Sequence, residues 1–439
     1  MLIMNNHLSI KYKFSIATFI SINWAIFSIW VSQRWFEELS IITGQFVAFF
    51  LITFIAIIPG FINMFVFFSL LFDKRPIFKK IDSYPNIDIL IAAYNEENTI
   101  QETIKSILSQ DYPSSIHIYI VNDGSQDNTK KKILDLKLSA DLLTLIDLTI
   151  NKGKANALNI GLNYLLSDLV ITIDADCLLI KNSIKNLVSR YLSDPPNTKA
   201  VAGTILVGNS RKNWLTKVQE WDYFLGISAV KRIQSMYQGT LVAQGAFSLY
   251  ERQTVSKLGG WPNMVGEDIV LTWNILKTGW RVGHAENACV FTKCPDTLLQ
   301  FIKQRQRWSR GLIEAFKQNP QIIFKLRLNS IYIWWNLLFP FIDIAYTFGF
   351  IPGLILALTG RFWIVGPMTL ALIPPSLILN NIMYRAARHT FINENITIRK
   401  NLLGFILYIL AYGLILQPAC VYGYISELLG FKKVWGTKQ

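Results

Sequence analysis

The sequence predicts a mostly parallel α/β domain, helices on both faces, inserted between α-helical transmembrane segments. Three observations predict it. Apolar runs gather at the two ends of the chain, short β-rich runs alternate with helical patterns between them, and acids and glycines cluster where the predicted strands end. The 439 residues are 51% hydrophobic and 16% charged, against about 25% charged in an average soluble domain. That balance excludes a disordered chain. Lys and Arg outnumber Asp and Glu by 43 to 29, giving +14. A nucleic-acid binder gathers such charge on one soluble face. Here much of it flanks apolar runs, as on the cytoplasmic side of membrane spans, so no nucleic-acid partner is expected. Cys177, Cys289, Cys294 and Cys420 are too few and scattered for a disulfide scaffold or a zinc set.

Residues 14–31 carry no charge and reach roughly 27 Å as a helix, close to the hydrocarbon thickness of ~30 Å. No small-residue cleavage site follows, so they read as an uncleaved anchor. Residues 45–72 form a second run, with Pro59-Gly60 a candidate kink. Lys74, Arg75, Lys79 and Lys80 follow it, while the intervening loop sets Arg34 against Glu37 and Glu38. The positive-inside bias then places the N-terminus and the chain after residue 73 in the cytoplasm. Apolar runs return at 330–358, 362–384 and 402–426. Arg385, Arg388, Arg399 and Lys400 mark a cytoplasmic loop, yet three closing spans put the basic tail (Lys432, Lys433, Lys438) outside. Either one run is re-entrant or interfacial, or the tail violates the bias. The expected units are 1–73 with two spans, 74–295 the α/β domain, 296–328 amphipathic interfacial helices, and 329–439 about three spans with a short tail.

Within the domain, strands are expected at 87–92, 116–121, 143–148, 169–173 and 200–207, with helices at 97–109, 127–138, 154–166 and 180–192. A long helical stretch (213–236) and a strand (241–250) follow. Sheets of this kind bind ligands at the carboxyl ends of their strands, and the motifs lie there. Tyr94-Asn95-Glu96 follows the first strand and Asn122-Asp123-Gly124-Ser125 the second. Asp123 can accept from a base or ribose; equally, these are ordinary capped turns. Gly153-Lys154 opens a helix, where a Lys suits phosphate or simply a capped surface. Asp174-Ala175-Asp176 follows the fourth strand. Two carboxylates at a buried strand mouth repel unless a cation neutralises them, and their hard oxygens suit Mg²⁺ or Mn²⁺ bridging a diphosphate. Glu267-Asp268 opens the helical pattern 269–277. Asp268, with an ordinary pKa near ~3.9, is ionised and able to take a proton from an attacking hydroxyl. The competing reading is an acidic N-terminal helix turn.

Residues 296–317 contain Gln304-Arg305-Gln306-Arg307-Trp308. At about 100° per residue, Gln304, Arg307 and Trp308 share one face. Leu298, Phe301, Ile302, Leu312, Ile313 and Phe316 lie on a neighbouring one, and Lys303, Gln306, Arg310 and Glu314 on a third. The pattern fits an interfacial helix. Arg305 falls in the apolar stripe and must snorkel or find a partner.

In this order the clusters resemble the processive family-2 glycosyltransferases of GT-A fold: cellulose, chitin, hyaluronan and poly-N-acetylglucosamine synthases. Tyr94-Asn95-Glu96, the Asn-Asp-Gly-Ser at 122–125, the Gly-Lys-Ala-Asn-Ala-Leu at 153–158, Asp174-Ala175-Asp176, Glu267-Asp268 and the Gln-x-x-Arg-Trp signature at 304–308 carry the match over about residues 85–310. The forms at 122–125 and 153–158, with two leading spans, look most like the bacterial poly-β-1,6-N-acetylglucosamine synthases. The resemblance implies a GT-A nucleotide-sugar-binding domain. Tyr94, Glu96 and Asp123 would contact the nucleoside with Lys154 in support. Asp174 would lie near the diphosphate, and Asp176, with Asp174, at the metal. Asp268 would be the base beside Glu267, Gln304 and Arg307 would bind the diphosphate, and Trp308 and Gly245 would meet the acceptor.

It further implies a UDP-sugar donor, a growing glycan acceptor, Mg²⁺ or Mn²⁺, a lipid bilayer and room for a small membrane accessory subunit. The product is then an exopolysaccharide of the biofilm kind, made at the bacterial inner membrane with the catalytic domain cytoplasmic. Gly266 departs from the family pattern, which has Thr before Glu-Asp, and residues 240–250 match loosely. The alternatives are single-sugar transfer to a lipid, and a scaffold with an inactive nucleotide-binding domain. Asp343, a charge in an apolar run, is the one feature pointing to a channel.

Overall fold

The computed structural model describes residues 8–73, 78–366, 369, 373–396 and 400–432. Lys74, Arg75, Arg399, Lys433 and Lys438 lie outside the described residues. The central domain is built on eight strands: β1 (Ile87–Ala93), β2 (Ile116–Asp123), β3 (Leu143–Leu148), β4 (Leu169–Ile173), β5 (Leu178–Leu179), β6 (Thr198–Val207), β7 (Phe247–Glu251) and β8 (Arg281–Thr292). Their order is β3-β2-β1-β4-β7-β6-β8-β5. The first four strands run parallel, β7 is antiparallel to both β4 and β6, and β6 pairs in parallel with β8.

The period-2 alternation of β1 explains the layering. Ile87, Ile89 and Ile91 face one core with Ile100, Ile104 and Ile107 of the next helix. Leu90 and Ala92 face the other with Ala157 and Leu158. Each fully buried aliphatic side chain contributes about 1.5–3 kcal/mol, so the register of these strands is strongly fixed.

Two elements differ from the sequence expectation. β8 is absent from the sequence reading because Arg281, His284, Glu286 and Asn287 interrupt its apolar pattern. Its interior polar group is satisfied sideways: buried His284 Nε2 lies 3.2 Å from Thr204 Oγ1 of β6. The strand expected at 241–250 begins only at Phe247. The residues before it spend their amides on side chains instead of a ladder. Leu241 N donates to Gln234 Oε1, Ala243 N to Thr272 Oγ1 and Gly245 N to Asp268 Oδ2.

Among the described residues, three helices are long and apolar enough to cross a membrane: Ile10–Val31, Gln45–Leu71 and Ser330–Leu358. The second passes through a π-helical turn, Thr53–Ile57, just before Pro59. The apolar run at 362–384 falls partly outside the described residues. Its helix, Ile373–Asn393, packs Tyr384 and Phe391 onto Phe224 of the domain, with ring centroids 5.8 and 5.4 Å apart. The last run is two helices, Leu402–Leu410 and Tyr412–Leu428, bent by 54°. Domain and leading helices are clasped by the Asp73–Arg232 ion pair and by Tyr237, whose hydroxyl donates to Ser69 Oγ at 3.1 Å.

Candidate active site

The loops after β1 and β2 are laced together. Asn95, held at φ 56°, donates its amide to Ser125 Oγ (3.0 Å) and accepts from Gln126 N (2.9 Å). Glu96 N donates to Thr129 Oγ1 at 2.7 Å, and the Glu96 carboxylate accepts from Thr99 Oγ1 at 2.7 Å. Tyr94 and Glu96 thereby flank the end of β2, where Asp123 sits. Asp123 accepts from the amides of Lys152 (3.0 Å) and Gly153 (2.8 Å), joining this loop pair to the one after β3. Burial raises its carboxyl, while the two amides oppose the rise. Gly124, at φ 68°, allows the closeness: a Cβ there would stand 2.6 Å from Asn151 N.

The Lys154 side chain turns away from this loop pair and toward the carboxylates. Its Nζ lies 2.5 Å from Asp174 Oδ1 and 3.4 Å from Glu267 Oε1. Burial alone would lower its pKa, and Asp174 and Glu267 together raise it instead. Burial pushes Glu267 up to about 7, with Lys154 opposing. Gly245 lines the same space, since a Cβ on it would stand 2.6 Å from Lys154 Nζ. Its amide donates to Asp268 Oδ2 at 3.2 Å, and Ile269 N donates to Oδ1 at 2.7 Å. Asp268 is thus held by two amides at a helix start. Asp176 lies two residues beyond Asp174, its Oδ1 3.5 Å from Thr292 Oγ1 of β8.

The helix Leu298–Gln318 brings the remaining motif. Arg307 is close enough to Glu267 to act on its carboxylate. Gln304 Oε1 and Arg307 Nε are buried without a hydrogen-bond partner among the described residues. Trp308 is 39% exposed, with its ring 6.1 Å from that of Tyr223. Arg305 meets the need its position in the apolar stripe created: it pairs with Asp222 Oδ2 at 2.9 Å and lies 4.1 Å over the Trp308 ring. Asp222 and Tyr223 carry no motif in the sequence; their signal is only their place in the long helical stretch.

The face with Gln306, Arg310 and Glu314 does not face solvent, Arg310 and Glu314 being 5% and 2% exposed. The helix Tyr412–Leu428 covers it. Arg310 and Lys317 both pair with Glu427, and Gln306 Nε2 donates to Ser426 Oγ at 2.9 Å. Leu298, Leu299 and Ile302 of the same helix stay exposed.

Asp174 after β4 and Glu267 at a helix start thus meet on Lys154, with Asp268 next in the chain and Arg307 acting on Glu267. Residues 88–259 match the model of the family Glycosyl transferase family 2. The chain is similar to the poly-β-1,6-N-acetyl-D-glucosamine synthase of Staphylococcus epidermidis, at 32% identity over 248 residues, 56% of this chain and 59% of that protein. It is equally similar to the synthase of the same name from Staphylococcus aureus, at 32% identity over 254 residues, 58% and 61% of the two. The match thus spans less than two thirds of these relatives. Among solved structures, a mannosyltransferase from Pyrobaculum calidifontis, in complex with GDP-Man and Mn²⁺, aligns over 97% of this chain and 100% of its own with a TM-score of 0.58 at 19% identity. The two share a fold.

Proposed function

We propose that the chain is a membrane-embedded, inverting glycosyltransferase that polymerises a β-linked polysaccharide from a UDP-sugar and exports it along its own spans. UDP-N-acetylglucosamine, with poly-N-acetylglucosamine as product, is the best-supported choice, from the similarity to the staphylococcal synthases. The observation that carries the reading is the convergence on Lys154 of Asp174 from the sheet mouth and Glu267 from the helix of the base, with Asp268 fixed beside them by Gly245.

The acceptor hydroxyl attacks the anomeric carbon, its proton passes to Asp268, and the bond from that carbon to the diphosphate oxygen breaks, inverting the centre. Arg307, whose buried Nε has no hydrogen-bond partner among the described residues, is a donor for the departing diphosphate, Arg suiting its oxygens in a bidentate manner, and Gln304 would add its side-chain NH₂. Tyr94, Glu96 and Asp123 hold the nucleoside. Trp308 presents an aromatic face to a pyranose of the acceptor.

The residues fit a divalent metal only in company with substrate. No group of three or more His, Cys, Asp or Glu side chains able to hold an ion exists among the described residues. Asp174 and Asp176 supply two hard carboxylates, the number Mg²⁺ commonly takes from protein when diphosphate oxygens and waters complete its shell. Bound there, Mg²⁺ or Mn²⁺ would neutralise charge on the leaving UDP.

Membranes bearing the protein, incubated with labelled UDP-sugars and either metal, test the reading. A long product from UDP-N-acetylglucosamine, degraded by a β-1,6-specific glycosidase, is expected. Single-sugar products with every donor would instead establish transfer without polymerisation.

A further inference from the structure

The reaction outlined above leaves one buried cation without a task. Lys231 lies on the helix Val230–Met236, directly after the π-helical stretch Asp222–Ala229. It is 7% exposed. Its neighbours spend their polar groups on structure: Arg232 on Asp73, and Gln234 on Thr240 Oγ1 and Leu241 N at 3.1 and 3.2 Å. Lys231 has no hydrogen bond or ion pair of its own among the described residues. An ammonium this largely buried with no protein acceptor is costly, and a ligand oxygen reaching it would lift that cost.

Its surroundings say which ligand. Gln234, one turn along the same helix face, anchors residues 240–241. The segment then runs to Ala243, whose amide donates to Thr272 Oγ1, and to Gly245, whose amide donates to Asp268 Oδ2. Thr272 Oγ1 in turn donates to Asp268 O at 2.7 Å. The helix of Lys231, the segment 240–245 and the start of the helix bearing Asp268 are therefore one hydrogen-bonded assembly. Asp268 is the charge that acts on Lys231, working against the burial that drives its pKa down to about 7. The diphosphate-side carboxylates Asp174 and Glu267 are already matched by Lys154. The unmatched cation is thus the one paired electrostatically with Asp268.

We propose that Lys231 is an acceptor-binding residue, its ammonium donating to a hydroxyl or amide oxygen of the terminal sugar of the growing glycan and so setting the attacking hydroxyl against Asp268. The inference rests on the glycosyltransferase reading above. The full-length protein and its Lys231→Met variant are compared by thermal unfolding, by UDP binding and by transfer with a titrated acceptor oligosaccharide. Methionine removes an unmatched buried charge at similar length, so the variant should melt no lower than the wild type and bind UDP as tightly. Its kcat/KM for the acceptor should fall by about 10- to 100-fold, the worth of a hydrogen bond to a charged group. Transfer at the wild-type level overturns the proposal. So does a loss shared with UDP affinity or melting temperature, since that marks a structural lysine. A wild type that transfers no sugar from any donor overturns the reading on which it rests, and the proposal with it.

Discussion

Asp268 owes its position to two amides, those of Gly245 and Ile269, so its charge can be removed without moving it. Asp268→Asn is expected to lower turnover by about 10²- to 10⁴-fold, the range of general base catalysis, with UDP affinity retained; steady-state kinetics beside UDP calorimetry check this. Glu267 supplies a pH dependence. Its carboxyl is raised from 4.5 to about 7 in the folded protein. Between those values the native state holds a proton that the unfolded chain releases, so this contribution to stability is full below pH 4.5 and is lost as pH rises to about 7. Melting temperatures of wild type and Glu267→Gln across pH 4.5–8 should converge in their trend only when this slope is taken away, with the variant showing the flatter profile. At this scale the sequence revealed the acids and the glutamine–arginine–tryptophan triplet by their spacing. The direction of Lys154 was not legible, because two carboxylates from elements 93 and more residues apart in the chain had to fold onto each other before it had a partner other than phosphate.

Among elements, the helix Glu267–Lys277 and the helix Leu298–Gln318 meet closely at two glycines. A Cβ on Gly266 would stand 2.6 Å from Gly311 Cα, and Gly266 N donates to Glu314 Oε2 at 2.9 Å. This explains the departure from the family pattern: two glycines let the backbones meet where a threonine would hold them apart. Gly266→Thr is expected to cost about 1–3 kcal/mol by overpacking, read from the melting temperature, and to lower transfer because Arg307 is carried away from Glu267. A second test concerns Arg305, whose charge is buried against Asp222. Asp222→Ala leaves that guanidinium unpaired and is expected to cost about 3–5 kcal/mol, measured by the same unfolding experiment. Periodicity showed the helix and its faces. It could not show that the polar third face is covered, since the element covering it lies more than 90 residues further on, in a run whose own apolar character reads as a plain span.

For the whole molecule, the leading helices were legible because long uncharged runs have few other fates. The bend of the terminal run 402–426 at Ala411 was not, because no charge or proline marks it among its neighbours. Both ends of that bent pair are fixed to the catalytic domain's side. Asn401 Nδ2 donates to Lys217 O and Glu220 Oε2 at 2.8 and 2.5 Å, and Arg310 donates to the carbonyls of Phe431 and Lys432 at 2.6 and 3.2 Å. If the run at 362–384 crosses, a re-entrant path for the pair removes the conflict between a basic tail and the positive-inside bias. Single cysteines replacing Lys130 and Lys432 should then react with an impermeant maleimide from one face of sealed vesicles, and one replacing Glu38 from the other. Reaction of positions 38 and 432 from the same face would show that the pair crosses.

The paired anchoring has a practical corollary for anyone shortening this protein. A chain stopped at residue 400 keeps every group assigned to substrate, yet it strips Glu427 from Arg310 and Lys317 and lays bare the underside of the helix that presents Gln304, Arg307 and Trp308. The last thirty-odd residues act as a splint, and a truncated enzyme should fall silent with its chemistry intact on paper.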